Sequence, residues 1–316
     1  MKDPDEINKP ITPRYDRSEL AESTFEFTVN TPITPEYDRA ELAEFTFEFT
    51  DAMKVINTPE SSYRQDKGAN HSFLKDIISV SPSYAWHKKK NPEETPVLTF
   101  DSALHCWVLD KEKFNSRYAV MAERDTRTTE GKAYYAQFVA DSAGKTVLKA
   151  EEYDKILNMA LYAQKYFCGV GGTKSHHEVQ FYATLAVTGG RFKGETIQLK
   201  ALIDALYDND DNAIIRDLKS VQDISNVAGA SYNNGWAIQS AFYTDIVQFA
   251  LQKPVRFEYI AVSKEAPYDC RQFLVSDEML IKGRKEYTEA LHKLLWWQFG
   301  GSNQTDQFLG IEVLNG

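Results

Sequence analysis

Residues 199–221 read LKALIDALYDNDDNAIIRDLKSV, with an apolar run on each side of a polar segment. Asp and Asn favour turns because their short side chains hydrogen-bond the local backbone. The segment Asp208–Asn212 therefore predicts a turn between two antiparallel strands, Leu199–Tyr207 and Ala213–Val221. The sequence therefore predicts a β-hairpin within a larger sheet.

The predicted register places Asp204 opposite Asp217. If the turn is centred between Asp210 and Asp211, paired residues have numbers that add up to 421, and the Cβ atoms of an opposed pair are roughly 5 Å apart. Strand side chains alternate between faces, so Asp217 and Lys219 share one. Opposed like charges destabilise a hairpin unless a cation lies between them. The three side chains predict a site for a metal ion and a phosphate, and a solvated acidic hairpin is the open alternative.

The composition is that of an ordinary globular protein. Of the 316 residues, 42% are hydrophobic and 26% are charged, which excludes collagen and general disorder. No apolar stretch approaches a transmembrane span, and the N-terminal residues lack the apolar core of a signal peptide, so we expect a cytoplasmic protein without a membrane partner. Cys106, Cys168 and Cys270 are odd in number and far apart, which favours reduced thiols over disulfides, zinc or iron–sulfur sites.

The net charge of −10 is distributed unevenly. Residues 1–66 carry 15 acidic and 7 basic side chains, so the remainder has a net charge of only −2. A nearly neutral body whose acids surround a metal can still present a basic track to DNA. The run His87–Lys90 is one candidate track, with an ordinary solvated surface as the alternative.

A tandem repeat occupies the N-terminal segment. Residues 11–28 recur at 33–50 with 15 of 18 positions identical, but two copies are too few to build a solenoid core. We expect an arm at residues 1–60, which is either a docking segment or a linker, followed by a domain at 61–298 and a tail at 299–316. If the repeat is only an arm, removal of residues 1–60 is expected to leave the activity of that domain intact.

The remaining chain alternates between helical and strand patterns. Periodicity predicts that residues 71–87 form a helix followed by the start of another at Ser81-Pro82-Ser83, and it predicts further helices at 98–109, 150–166, 234–251 and 276–297. Alternation predicts strands at 178–187, 199–207, 213–221, 255–262 and 271–275. This order predicts an α/β fold, in which a central mixed sheet has helices on both faces and an N-terminal helical part precedes it.

Several motifs occur in a fixed order along these elements. They are Phe100-Asp101-Ser102-Ala103-Leu104-His105, Glu178, Ile203-Asp204, Asp217-Leu218-Lys219-Ser220, Gln239 with Tyr243, and the segment from Tyr259 to Tyr268. The arrangement resembles the PD-(D/E)xK nuclease superfamily and, within it, the C-terminal nuclease domain of phage and prophage exodeoxyribonuclease VIII. The resemblance covers about residues 61–297. Asp101 departs from the usual glycine, whereas Asp217 in place of glutamate is the form expected in this branch.

The chemistry of these residue types fits hydrolysis of a phosphodiester. Asp204 and Asp217 supply the hard oxygen ligands that Mg²⁺ prefers. Lys219 would orient or deprotonate the attacking water and neutralise charge on the phosphate. The resemblance implies that His105 also reaches the metal, which would make Mn²⁺ acceptable, and that Glu178 is a further ligand. The alternatives are a buried, hydrogen-bonded His105, a solvated Glu178 and a surface ion pair for Lys219.

Three further residues are expected to contact DNA. Gln239 and Tyr243 are four positions apart and so share one face of a helix, where an amide and a phenol could bind the phosphate backbone without reading bases. Ser220, which directly follows the lysine of the motif, completes this set. Core packing is the alternative for Tyr243.

The resemblance also implies a substrate and partners. It implies a Mg²⁺-dependent exonuclease that degrades linear double-stranded DNA in the 5′-to-3′ direction and leaves 3′ single strands for recombination. It further implies a ring-shaped homo-oligomer and a partner protein that anneals single strands. The alternatives are another nuclease of the superfamily, including an endonuclease, a non-catalytic DNA-binding module, and an adaptor that acts through the repeat.

Overall fold

A mixed sheet of six strands lies at the centre of the computed structural model, which describes residues 45–56, 60–93, 95–125, 127–168 and 175–300. In chain order the strands are β1 (Phe47–Val55), β2 (Tyr118–Met121), β3 (Thr146–Lys149), β4 (Ser175–Val187), β5 (Thr196–Asp208), β6 (Ala213–Val221), β7 (Val255–Ser263) and β8 (Cys270–Leu274). The central sheet has the order β1-β4-β5-β6-β7-β8, and β2 and β3 form a separate parallel pair. Among the described strands of the central sheet, β6 and β7 are parallel neighbours and the other neighbouring pairs are antiparallel.

Helices cover both faces of this sheet, as predicted. They are α1 (Glu60–Gln65), α2 (His71–Ser79), α3 (Pro82–Lys90), α4 (Pro96–Leu109), α5 (Lys111–Arg117), α6 (Thr129–Asp141), α7 (Ala150–Ala163), α8 (Val227–Asn234), α9 (Trp236–Leu251) and α10 (Asp277–Phe299). One core joins the sheet to α2, α9 and α10, and a second joins the opposite face to α4 and α7. We call these the α9 face and the α4 face. Among the described helices, none is both long and apolar enough to cross a membrane.

Side-chain caps explain where several of these helices begin. Asn70, Ser81, Thr95 and Ser276 each precede a helix, and each side chain accepts a hydrogen bond from a backbone N–H in the first turn. Such caps satisfy backbone donors that have no partner within the helix. The predicted start of a helix at Ser81 is confirmed.

The β5–β6 hairpin has the predicted register as far as its ladder extends. Four pairs from Asp208 with Ala213 to Ala205 with Arg216 all obey the predicted sum. The ladder then ends, one position before Asp204 and Asp217 would pair. The acids therefore lie where the two strands separate.

The alternation of side chains is interrupted at this level of the sheet. In β5, Ile203 packs on the α9 face, whereas Ala205, two positions later, packs on the α4 face and Leu206 on the α9 face. Residues two apart in a regular strand share a face, so the alternation is interrupted at Asp204. In β4 the irregular residue is Glu178, whose φ of 52° lies in the left-handed region and which lies between regular pairs with β5. Irregularities of this kind re-aim side chains near functional sites.

The predicted boundary of the N-terminal arm requires correction. β1 lies inside the predicted arm, yet it pairs with β4 along the edge of the central sheet. Aromatic residues in and just before β1 pack on the core: the buried Phe45 stacks on Phe192 with ring centroids 5.4 Å apart, and the partly buried Phe49 stacks on Phe249 at 5.2 Å. The end of the second repeat copy is thus part of the domain. The first copy and the predicted tail beyond residue 300 lie outside the described residues.

Deletion of residues 1–55 is therefore expected to destabilise the protein, because it removes β1 from the edge of the central sheet. The deletion removes one of the two partner strands of β4 and the buried Phe45, and the loss of one buried phenylalanine alone costs about 3 kcal/mol or more. Urea denaturation would measure the change in the free energy of unfolding. Deletion of residues 1–44 is the matched control because it keeps β1 and Phe45. Equal stability of the two shortened proteins would contradict the assignment of β1 to the core.

Candidate active site

Four polar side chains converge where β5 and β6 separate. Asp217 and Lys219 project from β6 on the α9 face, and their side chains form an ion pair, as the shared face predicted. Asp204 comes from the irregular position of β5, and His105 comes from α4 on the opposite face. The predicted residues Asp204, Asp217, Lys219 and His105 are therefore brought together.

Asp204 is fixed by the backbone of the neighbouring strand. Its Oδ2 atom accepts a hydrogen bond from the N–H of Leu218 at 2.8 Å, and it lies 3.2 Å from Nε2 of His105. Beyond the last pair of the β5–β6 ladder, the carboxylate of Asp204 therefore accepts the hydrogen bond that a backbone carbonyl of β5 would accept in a regular ladder. This contact explains how the strands separate without leaving the N–H of Leu218 without a partner.

Asp217 is held from α9. The carboxylate is only 3% exposed, and its Oδ2 atom accepts a hydrogen bond from Nε2 of Gln239 at 2.6 Å. Its Oδ1 atom is buried and contacts the ammonium of Lys219 without a well-formed hydrogen bond. One oxygen of the carboxylate is therefore satisfied inside the protein, and the other faces the site.

The two carboxylates differ in their affinity for protons. Burial raises the pKa of Asp217 to about 6, with a further increase from the charge of Asp204, although Lys219 opposes the shift. Burial would also raise the pKa of Asp204, but the positive charge and hydrogen bond of His105 outweigh burial and hold that pKa below its usual value. The site thus pairs an ionised carboxylate with one that gains a proton more readily.

His105 is a charged partner of Asp204. Burial would lower the pKa of His105, but the charge and hydrogen bond of Asp204 raise it to about 9, so the imidazole is protonated at neutral pH. Its Nδ1 atom donates to the carbonyl oxygen of Asp101 at 2.8 Å. Its Nε2 atom lies 2.9 Å from the carbonyl oxygen of Leu218 as well as near Asp204. His105 is therefore both partly buried and hydrogen-bonded, as the alternative interpretation described, and adjacent to the acids.

Lys219 lies in a largely apolar setting. Its Nζ atom is 5.5 Å from the ring centroid of Tyr259 and 6.0 Å from that of Trp236. The side chain is 22% exposed, compared with 3% for its partner Asp217. Partial removal from water strengthens the electrostatic influence of this ammonium on any anion bound beside it. The contact with a buried carboxylate excludes an ordinary surface ion pair.

Residues 70–305 match the family described as a PDDEXK-like domain of unknown function (DUF3799). The chain belongs to this family. The matched range contains all four converging side chains, and membership confirms the predicted superfamily. A PDDEXK-like domain with this cluster of acids and a lysine supports assignment as a nuclease.

The fold has a counterpart among solved structures. A crystal structure of a protein from Eubacterium rectale, provisionally assigned as an exonuclease, matches with a TM-score of 0.50 and 18% identity. The match covers 83% of this chain and 96% of that chain. At this identity the likeness shows the fold alone. No curated protein matches the chain.

Gln239 and Tyr243 lie inside the PDDEXK-like domain. They are 5% and 3% exposed, respectively, so their positions do not support the predicted contact with DNA phosphates. Gln239 instead orients Asp217. Tyr243 packs among aromatic rings, with the ring of His71 edge-on at 5.1 Å, which favours the alternative of core packing. Ser220 is partly exposed and donates its hydroxyl hydrogen to Asp101.

Glu178 faces basic side chains of α5. Its carboxylate oxygens lie 3.8 Å from Nζ of Lys113 and 3.7 Å from Nη1 of Arg117. Glu178 is level with Asp204 in the register, but these ion pairs direct its charge toward α5. Its role as a metal ligand stays a prediction, and the structure provides it with cationic partners of its own.

Two contributors to the site were not identified from the sequence. The backbone of Leu218 binds Asp204 through its N–H and His105 through its carbonyl oxygen, and no side-chain pattern reveals such a role. The buried Nδ1 atom of His71 has no hydrogen-bond partner within the part of the chain that the structure describes. Burial and the charges of Lys219 and Lys75 lower the pKa of His71 to about 3, so it is neutral.

The candidate basic track at residues 87–90 has partners within the protein. Lys88 pairs with Asp76, and Lys89 donates to the carbonyl oxygen of Gly68 at 3.0 Å. Lys90 lies over the ring of Trp86 at 5.3 Å. These contacts favour a structural surface over a free basic track.

Proposed function

We propose that this PDDEXK-like chain is a Mg²⁺-dependent exonuclease that acts on linear double-stranded DNA. The observation that carries the proposal is the convergence of Asp204, Asp217 and Lys219 at the point where β5 and β6 separate. Two acids that can hold a metal ion and a lysine that can neutralise charge on a phosphate suit the hydrolysis of a phosphodiester. A solvated acidic hairpin would not enclose a carboxylate that is 3% exposed.

The donor set fits a divalent cation. Asp217 has a buried oxygen without a well-formed hydrogen bond, and Asp204 and the carbonyl of Leu218 add two further oxygen donors close to His105. Oxygen donors of this kind suit Mg²⁺. Among the side chains of the described residues, no three His, Cys, Asp or Glu form a ready-made metal cluster, so the proposed site draws on a backbone carbonyl as well. A bound cation would supply a Lewis acid that activates water and phosphate.

Each protein group then has a defined role. Lys219 would hold the attacking water and neutralise the charge that grows on the phosphate. Gln239 fixes the rotamer of Asp217, and the N–H of Leu218 fixes that of Asp204. Loss of the Nε2 proton would convert His105 from a donor into a nitrogen ligand, and a nitrogen ligand would make Mn²⁺ acceptable in place of Mg²⁺.

The direction and the biological role are further parts of the proposal. The resemblance of the ordered motifs to exodeoxyribonuclease VIII supports 5′-to-3′ degradation, 3′ single-stranded products and a role in recombination. The same resemblance supports a ring-shaped homo-oligomer and a partner that anneals single strands. A ring around the duplex would keep the enzyme on one DNA molecule during successive cleavages.

Digestion of labelled DNA would test the activity and its direction. We expect Mg²⁺ to support degradation of linear duplex DNA, excess EDTA to abolish it, and covalently closed circular DNA to stay intact. A label at the 5′ end should appear in small products from the start. A label at the 3′ end should remain on long single strands, because each strand is consumed from its own 5′ end.

Other outcomes would identify the alternatives. Cleavage of closed circles would show an endonuclease, and early release of the 3′ label would reverse the proposed polarity. Binding of duplex DNA without cleavage under any metal condition would favour a non-catalytic module. Degradation that is unchanged in EDTA would contradict the metal site.

A further inference from the structure

A second polar cluster lies beside the active site, between α4 and the ends of β6 and β7. The hydroxyl of Ser220 donates to Oδ1 of Asp101 at 2.5 Å, and Nζ of Lys264 lies 3.0 Å from the same oxygen. Asp101 and Lys264 have side chains that are 30% and 19% exposed. The cluster is therefore open to a ligand from solvent, and a single carboxylate currently occupies its two donors.

The cluster is close to the reacting groups but separate from them. Asp101 lies one helical turn before His105, and its backbone carbonyl accepts a hydrogen bond from His105. Its side chain is not used in this bond and instead contacts Ser220 and Lys264. Ser220 directly follows Lys219 on β6. A helical turn advances about 5.4 Å. The cluster is thus adjacent to the proposed cleavage point, about one turn of α4 away from His105.

Lys264 is held in a fixed position. Its backbone N–H donates to the carbonyl of Val221 at 2.7 Å, and its ammonium lies 5.4 Å from the ring centroid of Phe100. An aromatic face on one side and a hydroxyl near the same carboxylate oxygen fix the place where an anion can bind. Ammonium and hydroxyl groups bind phosphate oxygens in the same way as carboxylate oxygens.

We propose that Ser220 and Lys264 form a binding site for a backbone phosphate of DNA, and that the carboxylate of Asp101 occupies this site when DNA is absent. This inference rests on the proposed function, because it assumes that a DNA strand passes over Asp204 and Asp217. Because Ser220 and Lys264 both contact Oδ1 of Asp101, its carboxylate is a competing anion at the phosphate site. Bound DNA must displace that anion, which lowers the affinity for the duplex.

Replacement of Asp101 by asparagine should therefore tighten DNA binding. Asparagine keeps the size of the side chain and removes its charge, and any substitution leaves the backbone bond to His105 in place. We expect the Kd for a fluorescent duplex, measured by anisotropy in EDTA, to fall about 3-fold to 10-fold. The slope of log Kd against log salt should increase by about 0.9, as expected for one additional phosphate contact.

Two controls separate this effect from a general gain of positive charge. Glu265→Gln removes one negative charge next to Lys264, but Glu265 contacts Gln222 and Lys155 rather than Ser220, so its Kd should change less than 2-fold. In the double variant Asp101→Asn with Lys264→Met, the gain should vanish, because coupled residues do not contribute additively.

The outcomes distinguish this inference from the proposed nuclease activity. If Asp101→Asn and Asp101→Ala bind DNA no more tightly than the natural chain while metal-dependent cleavage persists, the phosphate site is refuted and the nuclease stands. If Asp101→Asn tightens binding although no variant cleaves DNA, the phosphate site stands and the nuclease is refuted. An equal gain in Glu265→Gln would refute a specific role for Asp101.

Discussion

Replacement of Lys219 by methionine is expected to reduce the rate of DNA cleavage about 10²-fold to 10⁴-fold, the range for loss of one group that stabilises charge in the transition state. Methionine retains an unbranched apolar stem against Trp236 and Tyr259 but removes the ammonium. The positive charge also lowers the pKa of Asp217, so its loss should make that carboxylate harder to ionise. Rates should therefore be measured at saturating Mg²⁺, which separates catalysis from weaker metal binding.

Lys253→Met provides a matched control for this substitution. Lys253 pairs with Asp208 at the opposite end of the hairpin, and both side chains are 20% exposed, close to the 22% of Lys219. The control removes the same charge from a similar ion pair, so it should change stability but reduce cleavage less than about tenfold. If both variants lose activity equally, or if Lys219→Met retains more than a tenth of the natural rate, the catalytic role of Lys219 is wrong.

The sequence predicted the hairpin and its register because the signals there are local. Short polar residues from Asp208 to Asn212 specify the turn, and the turn then determines every pair up to Ala205 with Arg216. The position of Asp217 and Lys219 on one face follows from strand geometry alone. The start of the helix at Ser81 could be predicted because an N-terminal cap is also a local signal.

The departure from regular alternation could not be predicted in this way. A sequence pattern assumes that each strand keeps its phase, whereas Asp204 and Glu178 interrupt it at one level of the sheet. The sequence pattern also did not reveal which face of α9 is buried. The four-residue spacing of Gln239 and Tyr243 places them on one face, but α9 is buried from Trp236 to Val247, so that face meets the core and not DNA.

The assignment of β1 failed for a different reason. Its Phe-Glu-Phe alternation occurs twice in the sequence, and duplication suggested an arm. The stabilising contacts of β1 and of Phe45 just before it are distant in sequence: Phe45 stacks on Phe192, and Lys54 pairs with Asp208. Contacts at such separation leave no local pattern, so only the three-dimensional structure reveals them.

Replacement of Gly283 by alanine is expected to lower the free energy of unfolding by about 3 kcal/mol, at the upper end for overpacking of a core. Gly283 lies where α10 crosses α9, and a Cβ atom there would be 1.9 Å from the carbonyl oxygen of Ala237 and 2.8 Å from Cβ of Ala241. The first obstacle is backbone, so no change of rotamer relieves it. The intrinsic preference of a helix for alanine offsets only about 1 kcal/mol of the cost.

The two helices cannot separate freely to accommodate the new methyl group. Asp245 of α9 accepts hydrogen bonds from Arg284 at 2.7 Å and from Tyr287 at 2.6 Å, so movement at Gly283 strains these neighbouring bonds. Because α9 also carries Gln239, which orients Asp217, cleavage should fall together with stability. Lys285→Ala, at an exposed position of the same helix, should change stability by less than about 0.5 kcal/mol. Urea denaturation of both variants measures the difference, and a Gly283→Ala protein as stable as the control would show that the helix crossing is looser than its geometry implies.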